Sequence, residues 1–270
     1  MQINIAISPC PNDTFMFEAL YNKRFDTKGL EFLWHFEDIE TLNNSAKSNI
    51  HDVTKISFNA LFANAEKYIM LNSGAALGFN CGPQIISKKN IDTSNLAQYK
   101  FAIPGKQTTA NLLLSAFYPE IIHKKEMIFS DIEKAVLNEE VDAGLIIHES
   151  RFTYIDKGLK KVLDLGEVWE NEYKLPLPLG AIAIKKSFEA VIALQVSNLI
   201  HQSIEFAFNN REVVMPFVRA HAQELDDKVT NAHIDLYVNK YSLNLGENGR
   251  NAIRILNYYA KNLGFVQNIE

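Results

Sequence analysis

Cysteine is nearly absent from this chain: Cys10 and Cys81 are the only two in 270 residues. A pair so far apart forms neither a disulfide framework nor the closely spaced thiols of a structural zinc site. No apolar run approaches the roughly 20 residues that cross a bilayer as a helix, so no membrane partner is expected. Basic residues are not in excess either. Lys and Arg number 27 against 32 Asp and Glu, for a formal charge of -5, which leaves no basic footprint for nucleic acid. The N-terminus enters a strand pattern at once, without the basic and apolar segments of an export signal, and a cytoplasmic location is expected. Also missing are the Gly-Lys-Ser/Thr ending of a phosphate loop, a dinucleotide fingerprint, the serine-hydrolase elbow and any pair of histidines at metal spacing. The sequence therefore calls for no metal and no cofactor.

What is present is a chain with 47% hydrophobic residues, enough to bury one large core or two modest ones. Ile3, Ile5 and Ile7 alternate as a first strand, which runs into Ser8-Pro9-Cys10-Pro11-Asn12-Asp13-Thr14-Phe15. The two prolines restrict that loop in advance, and Asn12, Asp13 and Thr14 are expected to cap the helix that follows. Strands and helices then alternate. Strands are expected over 30–36, 52–57, 68–71, 84–87, 101–103 and 143–147, and helices over 38–47, 60–65 and 110–117. Gly78 and Gly82, in the turn at 74–83, are read as supplying unusual backbone conformations, with Asn80 a tolerable left-handed residue. Ser130 and Glu133 have the spacing of a capping box for a helix over 131–138. Beyond Lys185 the pattern is helical, with Pro216 as an expected break.

Alternation of this kind implies an α/β protein with mainly parallel sheets. A polar connection near Ile91 suggests two lobes with a substrate cleft between them. Residues 1–90 and 183–270 are assigned to a discontinuous first lobe with C-terminal helices, and residues 91–182 to a second α/β lobe.

Strand ends in such folds are where ligands bind. Three loops are expected to converge: Ser8 to Thr14, Lys55-Ile56-Ser57, and Gln107 to Ala110. At the last of these, the N-H of Ala110 beside the Thr109 hydroxyl suits a carboxylate or polyol oxygen, because a helix N-terminus has unpaired donors and partial positive charge. Helix capping by Thr108 or Thr109 is the plainer alternative. Ser8, Cys10, Asn12, Asp13, Gly78, Asn80, Thr108 and Arg151 are further candidates for the cleft wall. Arg151 and Lys106 are placed to offset an anion, and Phe15, Phe58 or Phe79 to pack on an aromatic ligand. His148 is the leading catalytic candidate, because an apolar strand delivers it to the sheet edge and imidazole titrates near neutrality. Glu149 is a weaker candidate for orienting its ring. The other histidines, His233 among them, are read as surface or helix residues, and no base is evident beside Cys10.

Together these segments resemble the 1,4-dihydroxy-6-naphthoate synthase family of menaquinone biosynthesis by the futalosine pathway. The resemblance runs over nearly the whole chain. It is carried by Ser8 to Phe15, Thr54-Lys55-Ile56-Ser57, Ala76-Leu77-Gly78, Gly82-Pro83, Pro104-Gly105, Thr108-Thr109-Ala110 and Gly144 to Tyr154. Asp164-Leu165-Gly166, Trp169-Glu170 and Leu175 to Gly180 continue it. It implies a two-lobed, periplasmic-binding-protein-like (type II) fold used as a lyase. The implied reaction converts cyclic dehypoxanthine futalosine, a carboxylated small molecule, to 1,4-dihydroxy-6-naphthoate with release of dihydroxyacetone. By position, His148 matches the family's proton acceptor, while Lys55, Ile56, Ser57, Thr109 and Ala110 match its substrate-binding segments. The chain departs from the family at Asn80, where glycine is usual, and at Tyr173-Lys174, where threonine-glycine is usual. A solute-binding module of the same fold and the related chorismate dehydratase are the alternative readings.

Overall fold

The computed structural model describes residues 1–148, 150–222 and 226–266. Its first sheet contains β1 (Gln2–Ile7), β2 (Glu31–Phe36), β3 (Val53–Ser57), β4 (Tyr68–Met70) and β5 (Ala76–Gly78). The second is built from β6 (Gln84–Ser87), β7 (Phe101–Ile103), β8 (Lys124–Glu126), β9 (Ala143–Ile146) and β10 (Lys160–Asp164), after which β11 (Leu177–Lys185) returns to the first. The strand orders are β2-β1-β3-β11-β4, with β5 also on β11, and β10-β6-β9-β7-β8.

The sheets are mixed rather than mainly parallel, and the reason lies in the chain path. Strands joined by a helix within one lobe run parallel, as β1 does with β2 and β7 with β9. Among the described residues, the strands that run against their sheets are β6 and β11, the two by which the chain changes lobe. The changeovers fall between Gly78 and Gln84 and between Asp164 and Leu177, earlier than the boundaries at 91 and 182 drawn from the sequence. The polar stretch after Ile91 is instead a loop inside the second lobe, between β6 and β7.

The two crossings touch. A Cβ on Gly82 would lie 2.3 Å from the backbone of Gly166, so glycine is needed here for close approach, not for an unusual φ. Gly78 likewise has an ordinary φ, and in this turn it is Gly74 and Asn80 that have positive φ, at +91° and +56°.

Alternation along β1 sends Ile3, Ile5 and Ile7 into a fully buried cluster under the helices Pro11–Tyr21, Ala190–Asn209 and Arg211–His221. A second cluster joins the lobes through Ile56, Leu112, Leu145 and Trp169. The third packs the helix Phe129–Leu137 on the second sheet. That helix starts two residues ahead of the expected capping box, at an Ile128 N-cap without a side-chain bond. Glu133 turns instead to Lys157 at 2.7 Å. Pro216 does not break a helix but lies inside Arg211–His221, and the break falls at Asn210. No helix among the described residues is long and apolar enough to cross a membrane.

Both departures from the family's glycines occupy left-handed backbone. Lys174 caps the helix Leu165–Tyr173 at φ 54°, a position that glycine fills without the Cβ clash of about 1–2 kcal/mol. Lys174→Gly is therefore expected to stabilise the protein by about 0.5–1 kcal/mol after the added freedom of the unfolded chain is subtracted. Urea denaturation checks this, and an unchanged or lower midpoint counts against it.

Candidate active site

A cavity of about 80 Å³ lies between the lobes, with Ser8, Asn12, Lys55, Ser57 and Gly180 on the first-lobe side. Thr108, Thr109, Ala110 and His148 face it from the second, and His233 and Tyr237 close it from a C-terminal helix.

The first loop is shorter than its sequence suggests. Cys10 is the N-cap and Pro11 occupies N1 of the helix Pro11–Tyr21, the helical position that tolerates a missing N-H. Asn12, Asp13 and Thr14 thus lie within the first turn and do not cap it. The fully buried Asp13 carboxylate accepts from Ser8 Oγ at 2.7 Å, Ser8 N at 3.2 Å, Asn12 Nδ2 at 2.9 Å and Lys55 Nζ at 2.6 Å. A charge removed from water this completely requires such a set of partners.

Lys55 arrives from β3. The two-residue period of the strand sends Lys55 and Ser57 to the cavity and the Ile56 side chain into the interlobe core. Gly180 makes room for it, since a Cβ there would lie 3.3 Å from Lys55 Cε and 3.1 Å from the Ile56 carbonyl. Ser57 is held by Asn43, which accepts from its N-H at 2.9 Å and donates to its Oγ at 3.1 Å.

On the facing lobe, Thr108 caps the helix Thr109–Phe117 by accepting from Asn111 N at 3.2 Å. The Thr109 hydroxyl donates across the cleft to the Leu179 carbonyl at 2.7 Å. Helix geometry leaves the N-H groups of Thr109 and Ala110 without intrahelical acceptors. They form the positive end of a helix dipole on the cavity wall, a chemistry that suits a carboxylate.

His148 lies just beyond β9, half-buried, with φ +59°. A non-glycine residue held in the left-handed region is uncommon, and such conformations cluster at functional sites. Its Nδ1 is 3.7 Å from Cys10 Sγ, its ring lies 5.0 Å from that of Phe129, and the His233 ring is parallel to it within 7° at 6.2 Å. Cys10 therefore has a base beside it, brought from 138 residues away. Glu149 lies outside the described residues.

His233 corrects the sequence reading most sharply. It is on the helix Asp227–Tyr237 yet fully buried at the cleft, with Nε2 2.9 Å from Asn12 Oδ1. Burial holds its imidazole well below the usual histidine range, and the nearby His148, Lys55 and Arg151 act in the same direction. One signal was available: His233 shares a helical face with Thr230, Ile234 and Tyr237, the buried side of that helix.

Other candidates lie off the wall. Gly78 packs near Asn239, Asn80 is exposed and its N-H donates to Glu170 at 2.6 Å, and Arg151 donates to the Gly82 carbonyl at 2.9 Å. Lys106 is exposed and pairs with Glu126. Phe15 and Phe58 are core residues, and Phe79 is exposed away from the cavity. Cys81 does line the cavity, with its thiol pushed up to about 12 by burial, so it remains protonated. Among the described residues no three of His, Cys, Asp and Glu converge as metal ligands.

At the rim the lobes meet where Glu40 covers Gly105; a Cβ on that glycine would lie 2.3 Å from Glu40 Oε2. Burial pushes the Glu40 carboxyl up to about 7, Asn43 opposes the shift, and Glu126 and Asp38 add to it. The folded protein thus holds this proton more tightly than the unfolded chain, whose carboxyl titrates near 4.5. The associated stability is complete below the unfolded value and is lost as pH rises through the folded one. Glu40→Gln is expected to shrink the difference in unfolding free energy between pH 5 and pH 8 by about 1–3 kcal/mol. Paired denaturation curves at the two pH values test it, and an unaltered difference contradicts it.

A family model described as menaquinone biosynthesis matches residues 3–262. The chain is 40% identical to the 1,4-dihydroxy-6-naphthoate synthase of Thermus thermophilus, over 93% of this chain and 91% of that one. It is 38% identical to the synthase of Streptomyces coelicolor, over 93% and 90%. Protein AF1704 of Archaeoglobus fulgidus superposes with a TM-score of 0.92 at 38% identity, with 98% of each chain covered. The periplasmic aliphatic sulphonate binding protein SsuA of Escherichia coli superposes at 0.67 and 11% identity, over 98% of this chain and 88% of that one. The fold is that of periplasmic binding proteins.

Proposed function

Because this chain belongs to the menaquinone-biosynthesis family, alongside 1,4-dihydroxy-6-naphthoate synthases, we propose that its cleft is the active site of a carbon-carbon lyase. The reaction converts cyclic dehypoxanthine futalosine to 1,4-dihydroxy-6-naphthoate and releases dihydroxyacetone. The observation that carries the reading is that His148 lines the same cavity as Lys55, Ser57, Thr109 and Ala110.

His148 removes a hydroxyl proton from the substrate. The resulting alkoxide collapses to a carbonyl, the adjacent carbon-carbon bond breaks, and its electron pair passes into the ring system that becomes a naphthalene. Aromatisation supplies the driving force, so the protein must chiefly hold the substrate and place the base. A general base contributes about 10²- to 10⁴-fold to such a step.

The substrate carboxylate is held by the N-H groups of Thr109 and Ala110, where hydrogen bonds to a charged group contribute about 1.5–3 kcal/mol each. Lys55, neutralised by Asp13, acts as a fixed donor in place of a free cation. Ile39, Ile147 and Leu179 offer an apolar surface to the flat ring. The cavity is small beside ligand pockets of about 300–1,000 Å³, so the lobes part to admit substrate, and their closure excludes water from the reacting bond.

The test is incubation of the protein with the cyclic futalosine derivative and, separately, with chorismate. Fluorescent naphthoate is expected from the first alone. Consumption of chorismate would identify a dehydratase, and unchanged recovery of bound ligand a binding module.

A further inference from the structure

We propose that His233 is a positioning residue for the reaction, a neutral imidazole with its proton fixed on Nε2 that anchors the first loop against the base. The proposal rests on the assignment of His148 as that base. The argument starts at the buried carboxylate. Asp13 Oδ1 takes hydrogen bonds from Lys55 Nζ at 2.6 Å and Asn12 Nδ2 at 2.9 Å, so the donor end of the Asn12 amide is committed to Asp13. Its carbonyl end therefore faces His233 Nε2, 2.9 Å away. Two acceptors cannot share that contact, so Nε2 carries the proton.

The same contact links His233 to the base. Asn12 follows Cys10 within a single turn, and Cys10 Sγ lies 3.7 Å from His148 Nδ1. The His233 ring also lies 6.2 Å from that of His148, parallel within 7°, and the Tyr237 ring packs on it at 4.6 Å. Among the described residues, the titratable and charged groups that act on His233 are His148, Lys55 and Arg151, each opposing a positive charge on its ring, as does its complete burial. When His148 accepts the substrate proton, His233 stays neutral and the new charge remains localised on the base. Sequence spacing hides this arrangement, since Asn12 and His233 are 221 residues apart.

The experiment has two arms. The first follows protein labelled with ¹⁵N-histidine by long-range ¹H–¹⁵N NMR from pH 5 to 8, with His233→Gln used to assign the resonance. A ring that stays neutral with its proton on Nε2 is expected. The second compares kinetics of His233→Leu and His233→Gln, both checked for a cooperative thermal transition. Glutamine places an N-H near that of Nε2 and keeps the donor to Asn12, whereas leucine does not. His233→Leu is expected to lower kcat by about 10–100-fold with KM within about threefold, as for a misplaced catalytic group. His233→Gln is expected to stay within about fivefold of wild type, with the acidic limb of its pH profile unmoved. A ring charged at pH 6, a proton on Nδ1, a leucine variant at the wild-type rate, or a glutamine variant as slow as leucine would each overturn the proposal. If the wild-type protein turns over no substrate, the proposed function fails by itself, and the NMR arm still decides where the proton sits.

Discussion

Substitution of His148 by asparagine is expected to lower turnover by about 10²- to 10⁴-fold while substrate affinity stays within roughly tenfold. Asparagine is the informative replacement because the backbone at this position is left-handed, with φ +59°, and asparagine is among the few residues that accept that conformation. Its amide also reaches the region of Nδ1, next to Cys10 Sγ, so the local packing is disturbed little. What it lacks is a basic ring nitrogen. Single-turnover kinetics separate the chemical step from product release, and calorimetric titration reports affinity. A variant that retains the wild-type single-turnover rate would remove His148 from the role of base.

The second large effect is on the buried ion pair. Asp13→Ala is expected to destabilise the fold by about 3–5 kcal/mol, the usual result of leaving one buried charge uncompensated. Lys55 is left facing a void at 6% exposure, and Ser8 and Asn12 lose their common acceptor. Adding Lys55→Met should recover much of that loss, because no charge then remains unpaired, but it should not recover activity. Guanidinium denaturation of the two single variants and the double variant measures the coupling. A loss under about 1 kcal/mol for Asp13→Ala would mean that the pair is not the anchor of the first loop.

Local pattern made much of the architecture readable. Alternation in Ile3, Ile5 and Ile7 marked β1, the apolar run ending near His148 marked β9, and polar residues ahead of Ala110 marked the helix start on the cavity wall. The family resemblance reached further, to the periplasmic-binding-protein-like fold and the menaquinone-biosynthesis family. Less legible were features that depend on where the chain returns. Among the described residues, the single antiparallel strand in each sheet follows from the two lobe crossings, which no periodicity reports. Gly82 and Gly166 are 84 positions apart in number, yet their backbones meet. The Cys10–His148 and Asn12–His233 contacts join opposite parts of the chain. A histidine on the buried face of an amphipathic helix was visible in the sequence, but the partner that would give it meaning was not. Asn12 to Thr14 looked like caps because their residue types favour that role, but Pro11 had already started the helix and freed Asp13 to hold Lys55.

Mass spectrometry of the complete reaction mixture is the most direct test of the central claim. The wild-type protein, incubated with cyclic dehypoxanthine futalosine, should give 1,4-dihydroxy-6-naphthoate and dihydroxyacetone in equal amounts as the substrate disappears. Substrate recovered intact from a protein that demonstrably binds it would contradict the account.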